Sequence, residues 1–305
     1  MIREFPYFEK LHLDHKKDIV QHIAQYPPYS DYNFTSLWTY DTQNAVEVAC
    51  LNTNLVIQFT DYQSLHPFYS FLGTSHIQDT VARLLEYSHE KKLTEELKLI
   101  PEIVIATDTT LFDSYHITED VNNHDYIVST DEVATLPHHK YRTKKQQIEQ
   151  FKKLYPHHTL RLIDLREERN HREMEDLFME WRENAFLAPP ASQNEQNALN
   201  RLFAFSKHFE TGALGVYDQN KLVGFTIFET THNNYGIYSF QKANRAYRGI
   251  YTYMCHEAAK LLQEKGCIHI NYEQDMGIQG MRTAKLLWKP THFLKKYSIR
   301  KKSGC

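Results

Sequence analysis

Residues 249–282 read GIYTYMCHEAAKLLQEKGCIHINYEQDMGIQGMR, and this stretch fixes the kind of fold the chain can adopt. Ile250 to Glu264 carries apolar residues at helical intervals, and Gly266 follows, where glycine takes the left-handed geometry that closes a helix. Cys267 to Tyr272 is short and apolar enough to be a buried strand. A loop with Gly277 and Gly280 comes next, then a short helix near Gly280 to Leu287 and a last strand from Thr291 to Arg300. Helix, buried strand and helix in succession indicate an α/β layer.

Upstream, the second half begins with an expected strand at Thr159 to Leu165 and a helix at His171 to Asn184 bearing Met174, Leu177, Phe178 and Trp181. Pro189-Pro190 breaks that pattern, and a second helix is expected from Asn194 to Phe209. Leu214 to Tyr217 and Leu222 to Thr230 form a hairpin around Asp218-Gln219-Asn220-Lys221, and Tyr235 to Lys242 adds an alternating strand. The first half runs through the same events. Phe8 to Leu13 looks extended, Asp14 to Gln25 and Asp31 to Tyr40 look helical, and Ala45 to Tyr62 forms a hairpin about Asn52-Thr53-Asn54. Pro67 to Gly73 is a strand, Ile77 to Lys91 an amphipathic helix, and Leu97 to Ala106 and Tyr115 to Ser129 supply extended pieces. Two domains suit a chain of 305 residues, longer than one core usually serves. The division is expected at 1–139 and 158–305, joined by a basic helix within 140–157.

Charge is distributed unevenly. Ser30 to Pro137 holds seventeen Asp and Glu against four Lys and Arg, whereas no acid follows Asp275 and eight basic residues do. A second basic cluster comprises Lys140, Arg142, Lys144, Lys145, Lys152 and Lys153. Such polarity points to an anionic partner. Lys295, Lys296, Lys301 and Lys302 are expected on an exposed basic face, replaceable by Gln without harm to the fold. No apolar run approaches the roughly 20 residues that span a bilayer. Met1 to Tyr7 lacks a signal-peptide core, and a cytoplasmic protein is expected. Cys50, Cys255, Cys267 and Cys305 show no CxxC spacing, and the 18 histidines fit no zinc pattern, so no metal is expected.

Strand, two helices, a three-strand meander, helix, strand, helix, strand is the order of the GNAT (acyl-CoA N-acyltransferase) fold. Residue by residue, the chain resembles a bacterial tandem-GNAT family whose domain is named after the C-terminal part of phosphatidylglycerol lysyltransferase. The segments that carry this are Ser30-Asp31-Tyr32-Asn33-Phe34, Asp125-Tyr126-Ile127, Lys140 to Phe151, Lys242-Ala243-Asn244, Gly249-Ile250-Tyr251, Asn271 to Arg282, Ala284-Lys285-Leu286 and Lys289-Pro290. The resemblance implies two tandem GNAT-like α/β (α+β) domains, each a mixed sheet flanked by helices. It also implies acyl or aminoacyl transfer from charged tRNA to a lipid, peptide or small molecule, as in the distantly related Fem-type aminoacyltransferases. CoA-dependent N-acyl transfer and a non-catalytic binding protein remain the alternatives. The donor is thus acyl-CoA or aminoacyl-tRNA, and peripheral membrane contact is compatible with either. Where GNAT enzymes have a Q/R-x-x-G-x-G/A pyrophosphate turn, this chain has Ala246-Tyr247-Arg248-Gly249-Ile250-Tyr251.

The loop from Glu273 to Arg282 is the leading candidate site, because backbone N–H groups at a helix start can hold an oxyanion. There Glu273 and Asp275 would share a face of an extended segment as acid–base candidates, with Gly277 and Gly280 allowing close approach and Arg282 and Lys285 holding an anion. Asn244, Arg245, Arg248 and Gly249 precede the central helix and suit phosphate contacts. Glu229, in an apolar strand, is a further catalytic candidate, since a buried acid needs a reason to be there.

Overall fold

The computed structural model describes residues 2–61, 66–183 and 189–302 and divides into two compact units. Unit 1 comprises Met1–Asp125, Gln274–Thr283 and Phe293–Cys305; unit 2 comprises Tyr126–Glu273 and Ala284–His292.

In unit 1 the strands β1 (Glu9–Lys10), β2 (Glu47–Leu51), β3 (Asn54–Thr60) and β4 (Pro67–Leu72) form an antiparallel sheet in that order. Asn52 and Thr53 make the β2–β3 turn with positive φ, a geometry Asn tolerates better than most residues. Helices α1 (Lys16–Ile23) and α2 (Phe34–Tyr40) precede β2, and α3 (Ile77–Glu90) follows β4. Asn33 starts α2, its side chain accepting from the Ser36 N–H. The chain continues through β5 (Glu96–Pro101), α4 (Glu102–Thr107), α5 (Leu111–Ser114) and β6 (Tyr115–Glu119). The expected strand over Leu97 to Ala106 therefore ends at Pro101. Ile103-Val104-Ile105 has strand propensity, but Val104 and Ile105 bury on one side of α4, and local propensity yields to burial. A second sheet has β5 and β6 on either side of β14 (Lys296–Lys301), near the far end of the sequence. Leu97, Ile100 and Ile299 join Val81, Leu84 and Phe71 in one core.

Unit 2 is built around a sheet in the order β7-β12-β11-β10-β9-β8, where β7 is Asp125–Ser129, β8 Thr159–Leu162, β9 Thr211–Asp218, β10 Lys221–Thr230, β11 Tyr235–Ala243 and β12 His269–Asn271. Its helices are α6 (Thr130–Thr135), α7 (His138–Leu154), α8 (Glu168–Glu183), α9 (Pro189–Ala204) and α10 (Ile250–Glu264). The helix α11 (Gln279–Leu286) and the strand β13 (His292–Leu294) lie where the chain passes between units. α8 ends before the two prolines, and α9 opens on them rather than at Asn194, since Pro fits a first helical turn. The single last strand expected from Thr291 to Arg300 is two strands, β13 and β14.

The tandem order is present, but its two halves do not supply their own last strands. β7 comes from the first half of the sequence and pairs antiparallel with β12 of unit 2, Ile127 opposite Asn271. β14 comes from the second half and completes the β5–β6 sheet of unit 1. The compact units exchange these strands. Within unit 2, β11 and β12 run parallel only over Tyr235–Ile237 and His269–Asn271. Beyond that point β11 and β12 are not paired with each other.

Candidate acyl-transfer site

The start of α10 is shaped by its approach to α7. Gly249 has φ +84°, and a Cβ there would lie 2.6 Å from the Gln147 carbonyl oxygen, so only glycine lets α7 pass this closely. The Thr252 hydroxyl donates to Gln147 Oε1 at 2.8 Å, and the Arg248 N–H donates to the Tyr155 hydroxyl at 3.2 Å. That N–H lies in the stretch Ala246–Tyr251, which stands where GNAT enzymes have their pyrophosphate turn. Tyr251 turns back to Ala243, its hydroxyl accepting from the Ala243 N–H at 3.2 Å. Asn244 is committed at both ends of its amide: Nδ2 donates to Glu180 Oε1 at 2.5 Å and Oδ1 accepts from the Ala246 N–H at 2.8 Å. Arg245 and Arg248 remain at the surface, where with Gln147, Tyr247, Gly249 and Thr252 they line an open pocket of ≈ 360 Å³. Of the residues expected to contact phosphate here, the two arginines line this pocket, while Gly249 and Asn244 build the turn.

Basic residues extend from this pocket along α7. Arg142, Lys145, Lys152 and Lys153 are exposed, and none forms an ion pair among the described residues, nor does Arg248. Lys140, in contrast, pairs with Glu132.

The loop after β12 is not extended. Glu273, Met276 and Gly277 have φ of +55°, +52° and +75°, so Glu273 and Asp275 do not occupy alternate positions of a strand as the sequence suggested. Asp275 is fully buried. Its carboxylate accepts from Arg282 Nε at 2.8 Å, from Arg282 Nη2 at 3.0 Å and from the Gly277 N–H at 2.8 Å, so it braces the loop. Arg282 Nη2 also donates to Asn122 Oδ1 at 2.7 Å. Gly280 sits in open space near the start of α11, so no close approach requires it. Glu273 is half-buried, its N–H donating to Asn271 Oδ1 at 2.7 Å. Lys285 is buried, donates to the Tyr272 carbonyl and lies 4.9 Å from the Tyr272 ring. Glu229 on β10 is buried opposite Thr211 and Ile237. Alternation along β10 sets it on the sheet face away from Thr226, which meets the α10 side through Gln241.

Two polar clusters were not anticipated. Beyond the β11–β12 pairing, the Tyr272 hydroxyl donates to Gln241 Oε1 at 3.0 Å, and Cys255 Sγ lies 3.1 Å from that hydroxyl and 3.3 Å from Gln241 Nε2. Burial raises both the Cys255 thiol and the Tyr272 phenol, while Lys144 and Lys285 partly offset the effect at Cys255. Burial also lowers Lys144, which lies 4.3 Å from the Trp288 ring. In unit 1, fully buried Lys296 pairs with Asp31 and, at 2.8 Å, with buried Asp125. Ser30 supports Asp125 through its N–H (2.8 Å) and hydroxyl (2.6 Å). Burial raises the Asp31 carboxyl despite Lys296. The expected exposed basic face is corrected at this residue: Lys296 is a core group. Lys295 pairs with Glu119, Arg300 with Glu96, and Lys302 caps the Phe112 and Asp113 carbonyls. Lys296 was hidden in a basic run that reads as surface, and only the quoted segments at Ser30-Asp31 and Asp125 hinted at its partners.

Among the described residues no group of three His, Cys, Asp or Glu side chains could hold a metal ion. Also among them, no helix is long and apolar enough to cross a membrane.

Two meander-centred units whose sheets part beside a central helix define a tandem GNAT-like acyltransferase fold. Solved structures agree. A conserved protein of unknown function from Bacteroides thetaiotaomicron superposes with a TM-score of 0.86 at 24% identity, covering 99% of this chain and 100% of that one. L-PGS from Bacillus licheniformis gives 0.63 at 12% identity, covering 100% and 95%. A tandem GNAT protein from the clavulanic acid biosynthesis pathway gives 0.51 at 10% identity, covering 96% and 97%. At these identities the likeness is one of fold. No curated protein matches the chain. The family described as phosphatidylglycerol lysyltransferase, C-terminal, matches residues 23–300, and the chain belongs to that family.

Proposed function

We propose that the protein transfers an aminoacyl group from charged tRNA to an amine or hydroxyl acceptor. The carrying observation is that α7 lies against the α10 start. With Tyr155 just beyond its end it engages Thr252 and the Arg248 N–H, the latter in the stretch where GNAT enzymes have their pyrophosphate turn, and it presents Arg142, Lys145, Lys152 and Lys153 toward solvent without an ion pair among the described residues. A row of exposed cations beside Arg245 and Arg248, offset along α7 by Glu149, suits a polyanion better than a single pyrophosphate. In the reaction the acceptor attacks the ester carbonyl, and the new amide or ester forms. The tRNA ribose oxygen leaves, taking the proton the acceptor loses. Glu273, half-buried at the loop after β12, is the proposed proton carrier, and Arg245 and Arg248 are proposed to hold an anionic group of a substrate.

Titration of fluorescent tRNA across a salt series tests this. Each phosphate contact contributes about 0.7–0.9 to the slope of log K against log salt. Replacing Lys145, Lys152 and Lys153 by Gln is expected to flatten that slope by about two to three. Absence of tRNA binding at low salt, with tight calorimetric binding of acyl-CoA, overturns the reading in favour of a CoA-dependent enzyme.

A further inference from the structure

We propose that His269 and His292, which converge from two strand starts of unit 2, bind one divalent transition-metal ion of the zinc or copper kind, with Tyr235 beside it. Tyr235 and His269 open β11 and β12 and stand opposite each other in the parallel register, and His292 opens β13. All three belong to unit 2. The ring centres of His269 and His292 lie 5.5 Å apart, with the planes at 89°. The Tyr235 ring is 4.9 Å from that of His269, and its hydroxyl is 3.4 Å from His292 Nε2.

This spacing matches a shared ion. With a metal–nitrogen bond of about 2.1 Å and roughly 1.1 Å more to each ring centre, two imidazoles on one tetrahedral ion have centres about 5.3 Å apart. Ring packing alone also reaches such a distance, so the nitrogens decide. The Thr291 hydroxyl donates to the Ile127 carbonyl at 3.2 Å, and it therefore accepts at 3.0 Å from His292 Nδ1. That puts the proton on Nδ1 and leaves the lone pair on Nε2, as outer partners do for metal-binding histidines. His269 Nδ1 is shielded from solvent and has no hydrogen-bond partner among the described residues. A shielded polar atom left without a partner is costly, and a bond to metal satisfies it. Burial holds both rings below the ordinary imidazole value, which favours the neutral, ligating form.

Imidazole nitrogen suits zinc, copper and nickel, whereas magnesium and calcium take oxygen. The described residues add no third His, Cys, Asp or Glu. Water and the Tyr235 oxygen are left to complete the shell, so the ion is exchangeable, unlike a structural zinc held by four protein ligands. Bound there, it ties together the starts of β11, β12 and β13. The site is independent of the transfer reaction proposed above.

Isothermal calorimetry of the untagged full chain with Zn²⁺ tests the proposal, comparing His269→Gln, His292→Gln and, as a control at an exposed histidine elsewhere, His157→Gln. One ion per chain is expected in the parent and the control, with at least a tenfold loss of affinity in either site variant. Electron paramagnetic resonance of the parent with one equivalent of Cu²⁺ reads the same site without any substitution, and two imidazole nitrogens on the copper are expected. Zn²⁺ should also raise the thermal midpoint of the parent, since an ion that binds the folded chain stabilises it, and leave that of His269→Gln unmoved. Affinity unchanged in both site variants overturns the proposal and assigns the metal to scattered surface histidines. Absence of Zn²⁺ binding by the parent, or a copper spectrum with a single nitrogen, overturns it as well and leaves the two rings as packing.

Discussion

Lys296→Met should be among the most damaging single substitutions outside the apolar core. The lysine has no exposed surface, and its ammonium stands 2.8 Å from Asp125 Oδ1 while also pairing with Asp31. At an effective dielectric of about 20, one such contact corresponds to roughly 6 kcal/mol of gross attraction. Most of that offsets the cost of burying the charges. Removing the cation alone leaves Asp125 buried and uncompensated, which costs about 3–5 kcal/mol. Urea unfolding should report the loss as a lower midpoint, and adding Asp31→Asn to Lys296→Met should restore part of it. The Lys296→Met defect should also shrink on acidification, because the raised Asp31 carboxyl takes up a proton readily. Lys295→Gln is the matched control: its pair with Glu119 is 38% and 40% exposed, and its loss should cost under ~1 kcal/mol. Equal midpoints for Lys296→Met and Lys295→Gln would refute the reasoning.

Gly249→Ala should destabilise unit 2 by about 1–3 kcal/mol, from positive φ and the clash with the Gln147 carbonyl; a change within about ±0.5 kcal/mol in thermal unfolding, the size of neutral surface effects, would show that α7 can retreat. Burial holds His22 and His256 below the ordinary imidazole value. Between that value, about 6.5, and their own, the unfolded chain binds protons that the folded chain does not. Their contribution is therefore fully present above about 6.5 and lost as pH falls below it. Urea midpoints at stepped pH should show a shallower decline in His22→Gln/His256→Gln than in the parent.

Much of the local structure was legible in the sequence, and the reason shows in α10. Ile250–Glu264 is bounded by Gly249 and Gly266, both with positive φ, so its ends are written in residues that few others could replace. At α4 the sequence misled, because Ile103-Val104-Ile105 is as apt for a strand as for a helix and only its surroundings decide. The exchange of β7 and β14 left no local trace, since a strand's own residues do not name the partner it will meet far along the chain. The glycines and charges of residues 273–282 drew attention to that loop as a candidate site. They could not reveal that Asp275 would be enclosed by Arg282 while Glu273 stayed half-buried. The Gln241–Cys255–Tyr272 cluster uses three unremarkable residues from three elements, and proximity alone makes it visible.

The exchanged strands bear on how the protein is made. A ribosome that has released the first half of the chain has not yet produced β14, so the β5–β6 sheet lacks its middle strand until Lys301 emerges. Unit 1 must wait, partly formed, until residues 296–301 are made, its unpaired strand edges open to wrong partners. Unit 2, begun later, has its borrowed strand β7 in hand from the start and can close first. The half synthesised first is thus the half finished last, and a gene cut between residues 139 and 140 would yield two fragments that each lack a strand.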